Sequence, residues 1–586
     1  MKRKFIAFAV VATLSLSALF GCSQGGEQLK TETATDETQG SQNNGNNSTS
    51  TVKFDIEVNY SDKEKLSLTK EQLDQYTNII TLDDETVTIT ESGDYVLEGK
   101  ISDGQIVVDV PDNDTKVVTL ILNGVEVNSS NSAAIYVKNA DKVVISLVEG
   151  TTNTFTDGKE YTYDDTEKEE PNACIFSKDD LVISGNGILN VTGNFNNGIA
   201  SKDYLTITGG IINVTAKNNG IKGKDSIAVL TTDITIEAGG DAVKSDNSTD
   251  EEKGYIIIEG GNFDITSGED GFQAETCMVI NGGTFDIESG DDGIHADSSV
   301  EINGGDITIA QCYEGIEAVE IVVNDGNIHV TSSDDGFNAA GGNDASAMEG
   351  RPGMNNFSSS TGKLTFNGGY IYVNAGGDGL DANGSIEIND GYIIVDGPAN
   401  GGNGAFDYDA QCTMNGGYLI ATGYSQMAQM PNNSSVNCVM IGLDQNMQAG
   451  ELINISDSNG NTVITFMPAK SYNNIVLCTS DLMTGETYKV STGGTVTGNS
   501  VDGVWEGKYS GGTEINTFMI ESTLTTVGNA GGGMGGRPGE NGGMGGRPED
   551  MEERPSMDYE GKPGEGNGKG EWFNGNEERQ TEGGEI

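Results

Sequence analysis

The chain has 586 residues, too many for one ordinary compact domain, so it holds several domains or one elongated array. Asp and Glu number 90 against 32 Lys and Arg, a formal net charge of −58. That balance repels phosphate backbones and argues against nucleic acid as a partner; it suits cations and neutral or cation-bridged polymers.

Taken in chain order, Lys2, Arg3 and Lys4 precede an apolar run from Phe5 to Phe20, which ends in Leu19-Phe20-Gly21-Cys22. That is the order of a secretory signal. It resembles a bacterial lipoprotein signal, in which the cysteine after a small residue is acylated and becomes the mature N-terminus. The resemblance makes residues 1–22 the signal, Cys22 the lipidation site and the extracellular face of a bacterial cell the location. Residues 23–68 begin "SQGGEQLKTETATDETQGSQNNGNNSTST", polar and almost without apolar residues, and read as a flexible tether. No later segment has an apolar run long enough to cross a bilayer, so membrane contact is expected only through lipid. The six cysteines beyond Cys22 are scattered and form no CxxC pair. They read as small buried core residues and not as a zinc site or a stapling framework, though disulfides stay possible outside the cell.

At Thr69 to Tyr76, "TKEQLDQY" opens with Thr69 and Gln72 at capping-box spacing, which predicts a short helix placed to seal the open end of the strand-rich region after it. Runs such as "TVTIT", "GQIVVDV" and "KVVTLILNGVEV" between Thr86 and Asn186 have strand character. Beyond them a Gly pair or its Asp-Gly equivalent recurs at Gly260, Gly282, Gly304 and Asp325, a period of about 22 residues. Within one repeat, Phe285 and Ile287 alternate with Thr284 and Asp286, and Val300 and Ile302 flank Glu301. Period two means strands. Strands this short, separated by Gly, Asp and Asn turns without hairpin geometry, stack best as coils of a parallel β-helix, each covering its neighbour's open edge.

Stacked in register, equivalent residues form columns roughly 4.8 Å apart. Ile212, Phe263, Phe285, Ile307, Ile328, Ile371, Ile393 and Leu419 form a uniformly apolar column, the expected core. Asn281, Asn303, Asn324, Asn367, Asn389 and Asn415 form an asparagine ladder, a structural device. A third column holds Asn197, Asn219, Asp241, Asp270, Asp292, Glu314, Asp335 and Asp378, nearly always followed by Gly. Turn chemistry explains part of it, since Asx-Gly tolerates left-handed backbone. It does not require the second acidic column five residues on, Asp246, Glu275 and Asp297. Carboxylates at that spacing repel by about 1 kcal/mol in water and about 3 to 4 at an effective dielectric of twenty, a cost that a bound cation removes. Oxygen-only, turn-borne carboxylates suit calcium. The competing reading is a row of solvated turns.

Tyr370, Tyr372, Tyr392 and Tyr418 point away from the core on three coils. A row of flat rings suits stacking against sugars, which makes these four the ligand-binding candidates; equally, the insert at 341–363 or the C-terminal segment covers them. Residues 436–528 stay β-rich, with Asn459-Gly460 between "LINIS" and "VITF" marking a hairpin, and read as a C-terminal cap on a coil domain spanning 69–435. From 529 to 586 the Gly, Met, Arg, Pro and Glu mixture predicts disorder.

The passages "SGDYVLEG", "ILNGVEV", "AAIYVKNADKVVISLVEGTTNTFTDG" and "EPNACIFSKDDLVISGNGILNVTGNFNNGIASKDYLTITGG", with the D-G-[IF]-x-A coils, together resemble a bacterial extracellular carbohydrate-binding domain family over roughly Thr86 to Val527. The resemblance implies an all-β, right-handed parallel β-helix similar to that of pectate lyases. It also implies binding of cell-wall polysaccharide, cellulose or acidic sugars such as polygalacturonate, with calcium held along the helix; carried over to the coils with both acidic columns intact, the metal candidates are Asp241, Asp246, Asp270, Glu275, Asp292 and Asp297. The expectation is a non-catalytic, monomeric surface protein. Two alternatives stand beside it: a calcium-dependent lyase that uses Lys222, Lys224 or Lys244 as base, and a surface adhesin. The blander reading of those lysines is ion pairing with neighbouring carboxylates. Only His295 and His329 occur, and no GxSxG or phosphate-loop motif is present, which leaves triads and nucleotide sites without support.

Overall fold

The computed structural model describes Val58 and residues 60–163, 169–339 and 362–530. Cys22, nearly all of the tether, most of the insert at 341–363 and nearly all of the tail from 529 lie outside them. Among the described residues the regular structure is strand apart from one short 3-10 turn, and no helix is long and apolar enough to cross a membrane.

Three short parallel strands recur per coil. In one coil they are Phe272–Ala274, Cys277–Ile280 and Thr284–Glu288; in the next, Ile294–Ala296, Ser299–Ile302 and Asp306–Gln311. Each pairs in register with its equivalent one coil on: Phe272 with Ile294, Met278 with Val300, Phe285 with Ile307. The first-strand series alone forms a 13-stranded sheet, parallel throughout because every strand is followed by a full coil before its neighbour. Side chains alternate in and out, so the pattern at Asn262–Ser267 reads exposed, buried, exposed, buried.

The expected core column is present residue for residue. Ile212, Phe263, Phe285, Ile307, Ile328, Ile371, Ile393 and Leu419 are all buried, and Phe263 and Phe285 stack with centroids 4.7 Å apart and planes 4° from parallel. Outside it, Asn303 donates to Asn281 at 2.9 Å, Asn324 to Asn303 at 2.7 Å, Asn367 to Asn324 at 2.7 Å, Asn389 to Asn367 at 2.8 Å and Asn415 to Asn389 at 2.7 Å. The ladder is continuous.

Two expectations are corrected. The glycines after the acidic column are not left-handed: positive φ belongs to the second glycine of each pair, such as Gly283 at 118° and Gly305 at 116°. Gly336 is required for another reason, because an added Cβ would sit 2.3 Å from Val373 Cγ1 and 2.6 Å from the Gly379 carbonyl of the next coil. The helix at Thr69 is a 3-10 turn over Lys70–Gln75, with the Thr69 N–H donating to Gln72 Oε1 at 2.8 Å. It does not seal the end. Leu68 and Leu73 pack on Val96, Ile121 and Val148, so the segment lies along the flank, where these outward apolar residues need cover.

The coil pattern ends after Tyr418–Gly423, which pairs antiparallel with Tyr472–Cys478, although Cys438–Met447 and Leu524–Gly528 beyond it still pair parallel. A six-stranded sheet comes next, including the expected hairpin around Gly460, where Ile453–Asp457 and Thr462–Phe466 pair antiparallel. Cys438 and Cys478 face each other across paired strands and form a disulfide; Cys174, Cys277, Cys312 and Cys412 are free and buried.

Candidate functional site

The acidic turn column is built as a ladder of its own. Asn219 N–H donates to Asn197 Oδ1 at 3.3 Å, Asp241 to Asn219 at 3.0 Å, Asp270 to Asp241 at 3.1 Å, Asp292 to Asp270 at 3.0 Å and Glu314 to Asp292 at 3.3 Å. One side-chain oxygen of each residue is therefore spent on the next coil's backbone, and Asn serves as well as Asp. These side chains are buried: Asp241 is 1% exposed and Asp292 5%. Burial, then the neighbouring Asp292 and Asp241, pushes the Asp270 carboxyl up to about 8. Asp292 rises to about 6 for the same first reason.

A further column, not singled out in the sequence, runs three residues after the turn. Strand register aligns Lys222, Lys244, Gln273, His295, Glu317, Asn338, Asp381 and Asp407. Alternation in the one central position of a three-residue strand is too short a signal to notice, and the residue types change from coil to coil.

Here the expected metal residues are sorted. Lys244 Nζ is paired with Asp241, and Lys222 with Asp246; both aspartates have an internal counter-charge, and two of the three candidate bases are tied to carboxylates. Two coils further, past Gln273, the cation is His295, 3.1 Å from Asp292, 3.2 Å from Asp297 and 3.1 Å from Glu317. Burial alone would lower the imidazole's pKa, but hydrogen bonds to Asp292, Asp297 and Glu317 raise it strongly. Asp270 and Glu275 line a depression of about 430 Å³ together with Asp241, Asp291, Asp297 and His295.

Three acceptor oxygens on this face are buried without a donor: Gln273 Oε1, Glu317 Oε1 and Asn338 Oδ1. Asn338 spends its amide on Glu314 at 2.7 Å. Unmet buried acceptors are costly, and carboxylate and amide oxygens are the donor set of a hard divalent cation. Candidate ligand atoms of Asp292, His295 and Glu317 lie within 4.8 Å of one another, as do those of Asp378, Asp381 and Asp407. In that second trio Asp381 is pushed up to about 8 by burial, Asp335, Asp378 and Asp407.

Three of the four tyrosines form a stack, with Tyr370 and Tyr392 centroids 5.7 Å apart and Tyr392 and Tyr418 4.4 Å apart, each pair within 3° of parallel, while Tyr372 lies beside it, tilted against His329. The stack is half-buried against the C-terminal sheet. Tyr370 Oη donates to Asp502 at 2.7 Å and Tyr372 Oη to Asp396 at 3.1 Å. Of the two readings the sequence left open, cover by the C-terminal segment is the one seen: Ile394 and Ile420, beside them on the outer face, are fully buried in the same cluster.

Residues 83–340 match a family model described as carbohydrate-binding domain-containing protein. A carbohydrate-binding domain-containing protein of Acetivibrio thermocellus is 44% identical over 137 residues, which are 23% of this chain and 47% of that protein. The chain thus spans about half the length of the curated relative it matches. A solved structure titled as the polysaccharide lyase-like protein from C. thermocellum, gadolinium derivative, is 34% identical, with 43% of this chain and 97% of that chain covered and a TM-score of 0.34.

Proposed function

We propose that this chain, whose residues 83–340 match the carbohydrate-binding domain family, is a non-catalytic, calcium-binding protein that holds cell-wall polysaccharide at a bacterial surface. The coil stack is read as a right-handed parallel β-helix, anchored through lipid on Cys22. The observation that carries the calcium is the row of buried, donorless oxygens on Gln273, Glu317 and Asn338 beside the carboxylates of Asp270, Asp292 and Glu314. Glu317, Asn338 and Asp292 would hold one ion in place of the proton that His295 otherwise carries between the two carboxylates, and Asp270, Gln273 and Glu275 would contribute to another on the preceding coil. Calcium there supplies positive charge to a face that is otherwise repellent to uronate, and lets an acidic glycan dock by sharing ligands with it. Asp241 and Asp246 take the supporting part, since Lys244 and Lys222 already neutralise them.

A lyase needs a base free to take a proton beside a uronate carboxylate. Lys222 and Lys244 are engaged with carboxylates, which leaves Lys224, without an ion pair among the described residues, as the one candidate base. The test is electrophoresis of the purified protein through native gels containing polygalacturonate, with calcium and with chelator, followed by staining for polymer. Retardation that needs calcium, without cleared polymer, is the expected result. A cleared zone overturns the non-catalytic reading, and equal mobility in all gels overturns acidic glycan as the ligand.

A further inference from the structure

The face that carries the acidic column changes sign along the stack. Successive strands of the 13-stranded sheet end at Ser177, Ser201, Gly223, Ser245, Ala274 and Ala296. The residues immediately after these ends are Lys178, Lys202 and Lys224 on three coils, then Asp246, Glu275 and Asp297 on the next three. A single position in the repeat is therefore basic at one end and acidic at the other.

Beside the basic half lies a second depression, of about 590 Å³, whose lining holds Tyr163, Phe195 and the lysines Lys202, Lys217, Lys222 and Lys224 together with the acids Glu169, Glu170 and Asp246. Phe195 is braced on Tyr161, centroids 4.3 Å apart and planes 17° from parallel, and meets Tyr163 edge-on at 6.4 Å. The lysines are not equally engaged. Lys202 is paired with Glu170 and Lys222 with Asp246, whereas Lys217 and Lys224 make no ion pair among the described residues. Lys217 is exposed and Lys224 half-exposed. In a chain with 90 acidic and 32 basic residues, four lysines against three carboxylates around one half-buried aromatic ring leave a local positive excess, carried by Lys217 and Lys224, inside a repulsive field. An aromatic face takes the C–H face of a pyranose, and a free ammonium takes a charged ring substituent as a point charge with rotatable donors.

We propose that this depression is a subsite for an anionic sugar residue, bearing a carboxylate or a sulfate, whose ring lies against Phe195 and whose charge is met by Lys217 and Lys224 without a bridging metal ion. The proposal rests on the polysaccharide reading above and extends it. A polyanion lying along the stack meets lysine directly at one end and needs calcium only where the column turns acidic.

Isothermal titration in chelator at low ionic strength tests it on the whole protein, with a galacturonate oligomer, a sulfated galactose oligomer and a neutral cello-oligosaccharide. An anionic oligomer is expected to bind, and the preference between the two reports whether carboxylate or sulfate is the natural group. Lys217→Gln with Lys224→Gln should weaken it on the order of tenfold, and raised salt should do the same. Should the double lysine variant fold poorly, Lys217→Gln alone, at an exposed side chain, gives the same comparison. Absence of anionic binding in chelator, or equal binding by the lysine variant, overturns the subsite. Calcium-dependent retardation in polygalacturonate gels would survive either result, so the two readings fail separately.

Discussion

Replacing Asp270 by Asn removes a charge and keeps a hydrogen bond. Asp270 Oδ1 accepts the Asp292 N–H at 3.0 Å, and Asn219 already performs the same task for Asp241, so the ladder survives. Burial, with Asp292 and Asp241 adding to it, lifts the Asp270 carboxyl from 3.8 to about 8, which corresponds to on the order of 5 kcal/mol between its two protonation states. The folded state thus holds a proton that the unfolded state has released between about pH 4 and pH 8. Stability in the absence of metal falls through that window as pH rises, and the loss is complete above the folded value. Asp270→Asn should therefore match the parent near pH 4, exceed it by a few kcal/mol at pH 8.5 in chelator, and flatten the pH profile. With calcium the order reverses in one respect: the parent gains more thermal stability from the ion than the variant does. Urea denaturation in chelator at pH 4, 6 and 8.5, then thermal melts with calcium, reads all of this. A variant no more stable than the parent at pH 8.5 in chelator would refute the reasoning, because the buried charge would then carry no cost.

Other perturbations report on other parts of the molecule. Phe285→Ala empties a site that is 1% exposed and stacked on Phe263; unfolding experiments should show a loss of about 3 to 5 kcal/mol. Asn324→Ala cuts two rungs, to Asn303 and from Asn367, at a half-exposed position; a loss of about 1 kcal/mol is expected in the same assay. Tyr392→Ala removes the middle ring of the tyrosine stack, and hydrogen exchange should show faster opening of the C-terminal sheet, by about 2 kcal/mol, with little change in glycan binding. Gly336→Ala drives a methyl into Val373 and the Gly379 carbonyl and should lower the melting temperature or the soluble yield; a normal melt would count against the close coil contact.

The coil was legible because a solenoid writes the same demands every 22 residues or so. Phe263 and Phe285 share a column in the sequence for the same reason that they stack in the structure. Information that lies between coils was harder to see. Lys222, Gln273, His295 and Glu317 share a column only through strand register, and their types differ because each neutralises or completes a different local charge. Lys178, Lys202 and Lys224 were invisible as a column because alignment on acidic residues passes over the coils where the sign is reversed. The tyrosines misled in one reading through their neighbours: Ile394 and Ile420 occupy outer positions in "YIIVD" and "YLIATG", and two aliphatic residues there indicate a covered face. Which segment covers it depends on a domain some 50 to 130 residues away in the chain, beyond the reach of local pattern.

The hydrogen bond from each coil's amide to the previous coil's side-chain oxygen has a consequence for how such a chain can change over time. Nothing in the Asn219–Asp241–Asp270–Asp292–Glu314 run depends on how many coils stand on either side. The step from Asp241 to Asp270 carries extra residues that leave the ladder intact, because they emerge between strands as a loop. A duplicated or deleted coil would therefore find its partners already in place, provided that whole coils are exchanged and the two ends are kept. Length in this architecture is adjustable at low cost, set by gene duplication and not by redesign of a core.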